Sequence, residues 1–551
     1  MALRHPAIAL LIAAVLLMVP SLILGTLPSH SAAHNLAWAG QFADQFRASV
    51  FYPRWMADSF EGLGGPAFYF YPPLPFWLDA LVSVVTLNTL PVTYRLAISA
   101  TVLLWASGLA MHAWLRREEV GGGVALLGAI AYMAAPYHLL DHYIRGAYAE
   151  FAAYAFLPLA ALGIRWIADR RRGGVAILAL SYAGLLLSHL PTAVLASATL
   201  LPAYVLFRAW RATGAAAAVE LVARSALGAA LGVGLAAIYL GPALDLQAWI
   251  ASEKLWTPGY SVETWFLLTP ERWLKPIAMM ELIARIAAAA AIAAIGVLLL
   301  LRGRPSGAGP RADAAFWALL SLWCLVLMAG LLPWFWRIVP LVAKVQFPWR
   351  LMVVVEFSTI TAICLAWAGV WSRLGRFCLA GAVAALAMVL VPLASSISVH
   401  VETGLNQAIP PVQDAKEYLP AGYPQDPNAA YADLSLGLLT NVPVIACMPV
   451  AEICRARDER FGAMQIDVDG TTPTTVVLRR FFFPAWRLDG ATAIVPTDPL
   501  RLVSFVAPAG RHTYRLERGV SPAERWGWML SGLALVLLLV WSGFEWRIRR
   551  S

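Results

Sequence analysis

A few polar residues in this 551-residue sequence have the types and spacing for acid–base and phosphate chemistry. Asp58 and Glu150 are carboxylates that could take a proton from a hydroxyl, and His30 and His34 are imidazoles that could do the same. Arg54, Arg145 and Arg350 carry guanidinium forks suited to a phosphate or a departing oxyanion. Each has a plainer use. Asp58 can cap a turn or pair with Arg54. Glu150 can complement a helix dipole, and Arg145 can pair with Asp141 or Glu150. Arg350 and Arg54 can snorkel to headgroups. Glu356, six residues after Arg350, is another acid within an apolar run, where an ionisable group usually faces a cavity or a partner.

Two histidine pairs, His30 with His34 and His138 with His142, repeat an i,i+4 spacing that could hold a metal on one helical face. No HExxH accompanies them, so no protein-bound metal is expected, while a divalent cation assisting a phosphate stays open. No Walker lysine loop and no GxGxxG after a strand is present, which leaves no motif for ATP or a dinucleotide.

The elements that must position these residues are membrane helices. Hydrophobic residues make up 60% of the chain and charged residues 13%, too few charges to cover a water-soluble surface. Soluble classes and nucleic-acid binding fall away despite the +9 charge. Twelve apolar stretches have spanning length: about 6–26, 91–115, 122–137, 151–168, 174–190, 192–208, 225–245, 277–301, 314–332, 350–370, 377–395 and 527–546. Alternate connections are rich in arginine, from Arg116–Arg117 through Arg165, Arg170–Arg172, Arg208, Arg211, Arg224, Arg302, Arg304, Arg311, Arg373 and Arg376 to Arg547, Arg549 and Arg550. With Arg4, they share one side if twelve spans exist, and the positive-inside rule makes that side cytoplasmic, with both termini there. Lys254, Lys275, Lys344 and Lys416 fall on the other side. Ser31-Ala32-Ala33 could pass for a signal cleavage site, but the preceding apolar run of about 20 residues has the length of a span, so an uncleaved first helix is expected.

The cytoplasmic connections are short. The other side has a long aromatic and proline-rich first loop (27–90) and a domain at 396–526, before a last span and basic tail at 527–551. Within the loop, 74–88 is expected to be a juxtamembrane or re-entrant helix. Met464–Asp469, Thr474–Arg480, Leu500–Val506 and Thr513–Arg518 are short segments between Gly and Pro turns and predict a small β-sandwich or jelly roll. Cys447 and Cys454 in that domain could form a local disulfide or remain two thiols.

FYPRW-x-x-D (51–58), FYPPLPFW (70–77), AAPYHLLDHYIRGAYAEF (134–151), SHLPT (188–192) and QFPWR (346–350) together resemble the bacterial 6-pyruvoyl-tetrahydropterin synthase-related membrane proteins. FFFPAWRLDG (481–490) and APAGRHTYRL (507–516) are similar to the outer module of YfhO-type proteins. Both families look like members of the GT-C superfamily, whose polytopic enzymes take a sugar from a polyprenyl phosphate at the extracytoplasmic surface. The resemblance implies a GT-C-like helical domain over 1–395 in a bacterial inner membrane, with its site facing the periplasm. It implies a polyprenyl-phosphate-linked sugar as donor, a glycan, lipid or protein acceptor, and membrane lipids around the chain. In the family pattern an acid stands early in the first loop, four residues before a histidine. If that histidine is His34, His30 holds the acid's place, or Ser31 after a slip of one. Three accounts remain: another acid substitutes, His30 or His34 is the base, or the chain binds lipid-linked glycan without transfer. A lipid or glycan transporter is a further alternative, although no internal repeat of related halves is evident.

Overall fold

The computed structural model describes residues 5–252, 260–269, 277–302, 308–367, 373–409, 415–424, 442–490 and 493–548. Arg4, Lys254, Lys275, Arg304, Arg549 and Arg550 of the charge pattern lie outside the described residues. Among the described residues, ten helices are fit by length and apolar composition to cross a membrane: Val92–Arg117, Gly122–Arg145, Tyr148–Ala168, Leu190–Trp210, Ala215–Leu235, Ala278–Arg302, Arg311–Met328, Pro348–Ala366, Gly375–Asn406 and Pro522–Arg547. Nine of them overlie expected stretches, and Ala215–Leu235 overlaps the expected 225–245 but lies ten residues earlier, with Ala237–Asp245 following as a separate helix.

The other two expected stretches are shorter. The first stretch is Pro6–Leu17, interrupted at Met18 and resumed as Val19–Leu24. Pro20 explains the break, because its ring has no N–H to donate and crowds the carbonyl of Leu16. Gly174–Ser188 has 15 residues, about 22 Å of helix at 1.5 Å per residue, and stops where His189 turns extended at φ −153°. Asn406, not residue 395, ends the helix before the β unit. Close packing follows small residues: a Cβ on Gly163 would sit 2.7 Å from the Leu178 backbone nitrogen, so only glycine lets Phe156–Ala168 approach Gly174–Ser188 this closely.

The first loop is a compact layer rather than a linker. Helix Ala32–Arg47 buries Trp38 and Phe42 against Phe68 and Phe76, with Phe42–Phe68 centroids 4.7 Å apart. Leu74–Val85 is a 12-residue helix, too short to span, tied to Val92–Arg117 by the buried Asp79–Arg95 pair at 3.3 Å.

The C-terminal unit has two four-stranded antiparallel sheets. One has the order β1 (Ile445–Met448), β4 (Thr474–Phe481), β7 (Leu502–Ala507), β6 (Val495–Pro496). The other has the order β2 (Ile453–Asp458), β3 (Met464–Gly470), β8 (Gly510–Arg518), β5 (Trp486–Leu488). In β3, Met464, Ile466 and Val468 are buried while the residues between them are more open, the period of two that marks a half-buried strand. The Cys447–Cys454 disulfide forms, joining edge strands β1 and β2 of the two sheets. This unit sits on the first loop: the Phe481 N–H donates to the Leu63 carbonyl at 2.9 Å, and Trp55 meets Trp486 edge-on at 5.0 Å.

Candidate functional site

Three segments converge at the ends of the spans under the first loop. Helix Gly122–Met133 breaks at Ala134–Ala135, resumes as Pro136–Leu140, and widens into a π turn over Asp141–Arg145. Gly146 closes it at φ +61°, with Ser29 so close that a side chain there would collide with it. The first loop is stapled on at this point. The N–H groups of His30 and Ser31 donate to the carbonyls of Ile144 and Arg145 at 3.2 and 3.0 Å, and Asn35 Nδ2 donates to the Gly146 carbonyl at 2.7 Å. The third segment is the 3-10 turn Pro348–Leu351, which opens the span carrying Glu356.

Glu150 is the hub. Its Oε1 accepts from Tyr137 Oη at 2.8 Å, and its Oε2 lies 2.8 Å from Arg145 Nη1 and 3.6 Å from Arg350 Nε. Asp141 also pairs with Arg145, and Tyr137 Oη is 2.8 Å from the same Nη1. Arg350 Nη1 donates to the Val345 carbonyl at 2.7 Å, and its guanidinium lies 4.9 Å from the Phe347 ring. Among the described residues, the side-chain hydrogen bonds and ion pairs of Arg145 run through Nη1, which leaves Nε and Nη2 unspent, and Arg350 likewise keeps Nη2. The two side chains remain 11% and 13% exposed while Glu150 is 1% exposed, so the arginines, not the carboxylate, face outward.

Glu356 accepts from the Tyr137 N–H at 2.7 Å and from Tyr154 Oη at 2.8 Å. It also lines one end of an apolar groove of about 410 Å³ between Gly122–Met133, Ala278–Arg302, Pro348–Ala366 and Arg373–Asn406. The groove walls are mainly alanine, isoleucine, leucine and valine.

His30 stands exposed before the helix that holds His34, and within the field of Arg145. Partial burial and then the Arg145 charge hold its imidazole below the ordinary value of 6.5, so it is neutral at pH 7. His34 is half-buried, edge-on to Trp38 at 5.8 Å.

The structure does not bring Asp58 or Arg54 into this cluster. Asp58 is exposed, and its N–H donates to Gln41 Oε1 at 2.9 Å; Gln41 stands seven residues, or about 10 Å of helix rise, beyond His34. Asp44 and Glu61 are exposed, as expected for solvated acids. Arg54 is 1% exposed and engaged elsewhere: Nε meets Glu524 at 3.0 Å, Nη2 donates to the Ile238 carbonyl at 2.7 Å, and Tyr52 covers its face at 3.7 Å. An arginine so enclosed has no face for a lipid phosphate, which corrects the expectation drawn from its motif. The histidine pairs do not make a metal site either. His30 precedes the helix that holds His34, His138 stacks on Tyr154 at 3.7 Å, and His142 bonds Ser21 at 2.9 Å. Among the described residues, no three metal-ligating side chains gather.

Tyr137 and His189 were quoted within motifs without a role. His189 is the extended corner of SHLPT, fixed by Thr192 Oγ1 at 2.8 Å and within electrostatic reach of Glu150. The extended corner itself is the signal: a histidine two residues before a proline, between two apolar runs, marks a turn at the span ends.

These features define a polytopic helical membrane protein with a buried arginine–carboxylate cluster beneath its first loop and a two-sheet β unit. The family described as "6-pyruvoyl-tetrahydropterin synthase related domain; membrane protein" matches residues 68–403, more than half the chain, and the chain belongs to that family. No curated protein matches it. Among solved structures it is distantly similar to ArnT from Cupriavidus metallidurans bound to undecaprenyl phosphate, with 12% identity, a TM-score of 0.38, and coverage of 73% of this chain and 75% of that one.

Proposed function

We propose that this protein is a membrane glycosyltransferase of the GT-C type that moves a sugar from a polyprenyl-phosphate donor to a glycan, lipid or protein outside the cytoplasm. The single observation that carries the reading is the Arg145–Arg350 pair, with unspent N–H groups, a groove lined by Glu356 nearby, and the neutral imidazole of His30 within the field of Arg145. The prenyl chain lies in the groove and the phosphate on the two guanidinium groups. An acceptor oxygen forms the new bond to the anomeric carbon as the carbon–oxygen bond to phosphate breaks. The acceptor's proton passes to His30, and the arginines take up the charge growing on the departing phosphate. Products are the glycosylated acceptor and polyprenyl phosphate.

Glu150 then positions the arginines rather than acting as base, because both of its oxygens are occupied and it is enclosed. The arginine-rich connections at the opposite end support a site that faces the periplasm from a bacterial inner membrane. Purified chain given lipid-linked sugars should release polyprenyl phosphate, and H30A should slow turnover about a hundredfold or more. Undiminished turnover in H30A would remove His30 from the reaction.

One observation favours the non-catalytic alternative. Asp141, Glu150 and Glu356 are all buried and bound, so no carboxylate of the cluster reaches an acceptor. Donor retention with no turnover on any acceptor class would favour that reading.

A further inference from the structure

A second polar cavity, of about 450 Å³, lies at the opposite, arginine-rich end of the bundle. Its charged lining is balanced, with Arg165, Arg208 and Arg211 against Glu118, Glu119 and Asp313. Arg211 is committed, its Nη1 lying 2.7 Å from both oxygens of Asp313. Arg208 is not. It is 11% exposed, and its nearest carboxylates, Asp313 at 3.6 Å and Asp169 at 3.7 Å, lie beyond hydrogen-bond reach. Its Nε is buried without a hydrogen-bond partner. A guanidinium holds five N–H donors, and leaving them unmet in a buried position costs free energy that a ligand's oxygens can recover. Arg165 Nε and Glu118 Oε1 sit 3.1 Å apart at an angle that makes no hydrogen bond, so an acceptor and a donor are both unmet here. At the mouth, Glu119 is exposed.

The cavity does not end in bulk solvent alone. Trp367 lines both this cavity and the apolar groove, so a headgroup held here can lay its chains along the groove wall. A binding site with both signs of charge and no net excess fits a ligand that is itself both. We propose that the cavity binds the headgroup of a zwitterionic phospholipid, its phosphate on Arg208 and its ammonium on Glu119, with acyl chains entering the groove past Trp367. The headgroup site lies at the other end of the spans from Arg145 and does not depend on the transferase reading; a prenyl chain and these acyl chains would enter the groove from opposite ends and compete for its volume.

The full-length chain, purified in detergent and delipidated, would be titrated with phosphatidylethanolamine, phosphatidylglycerol or inorganic phosphate, and bound lipid read by native mass spectrometry. Phosphatidylethanolamine should be retained about tenfold better than phosphatidylglycerol, and inorganic phosphate should not compete at millimolar levels. R208A should lose the retention. E119Q, an exposed change that leaves the fold intact, should bring phosphatidylethanolamine down to the phosphatidylglycerol level. Equal binding of the two lipids by the wild type, competition by free phosphate, or undiminished preference in E119Q would each overturn the proposal.

Discussion

Two clusters in this molecule share one plan: a glutamate bridging two arginines with a tyrosine above. In one, Glu524 joins Arg54 and Arg518 under Tyr69; in the other, Glu150 joins Arg145 and Arg350 under Tyr137. Even their sequence settings are alike, FYPRW for Arg54 and QFPWR for Arg350. They differ in what else the glutamate does and in what borders the arginines. Glu524 caps the last helix, accepting from the Ser521 N–H at 2.8 Å while its own N–H donates to Ser521 Oγ at 3.1 Å. Arg54 is sealed by aromatic rings, and the hollow beside Trp55 holds no volume for water. Arg54 also has an unpartnered nitrogen, Nη1, but it is sealed in, whereas the unspent nitrogens of the Glu150 cluster belong to arginines that are 11% and 13% exposed. One plan locks the β unit and last helix to the first loop; the other leaves cations for a ligand.

The sharpest way to break this comparison is to truncate one arginine from each. R54A strands Glu524 in a buried site and should cost about 3–5 kcal/mol, read as a large drop in the thermal midpoint of the purified protein. R350A should leave the midpoint nearly unchanged and abolish donor binding. The reverse pattern would exchange the roles assigned to the two clusters.

E150Q comes next. The amide still accepts from Tyr137 but no longer holds two cations, so KM for the lipid donor should rise about tenfold or more, with a smaller fall in kcat. A loss confined to kcat, with KM unchanged, would return Glu150 to the role of base.

Much of this was legible from sequence, for reasons that can be named. Spans follow from apolar run length, and the period of two in Met464–Val468 signals a strand whether or not its partner is known. Arg145's pairing was open between Asp141 and Glu150, and both occur, because a π turn folds these neighbours onto one guanidinium. Arg54 could not be read, because its partner Glu524 lies 470 residues away. Ser521-Pro-Ala-Glu524 caps the last helix, and that pattern carries no hint that the same carboxylate also holds an arginine from the first loop. The ionic network at the arginine-rich end was equally hidden. Charge counting assigned those arginines to topology, whereas Asp169 and Asp313 gather Arg117, Arg165, Arg208 and Arg211 from separate spans.

A smaller effect concerns the mouth of the site. Because Arg145 and partial burial hold His30 below 6.5, the imidazole is free to accept a proton at neutral pH. Turnover should therefore be level from pH 7 upward and fall only as the pH drops below 6.5 and the imidazole takes up a proton. A limb centred above pH 7 would assign the proton transfer to another group. The smallest effect is expected from D58A, which removes an exposed carboxylate outside both clusters and should shift stability by less than about 0.5 kcal/mol and turnover by less than twofold.

The central claim is that Arg145 and Arg350 together hold a lipid phosphate. Native mass spectrometry of the purified chain with polyprenyl phosphate measures this directly. The wild type and D58A should retain one molecule, R350A should lose it while keeping the wild-type melting midpoint within a few degrees, and R145Q should lose it at a lower midpoint, because it leaves Asp141 and Glu150 buried without their cation. Retention at wild-type strength in both arginine variants would contradict the account.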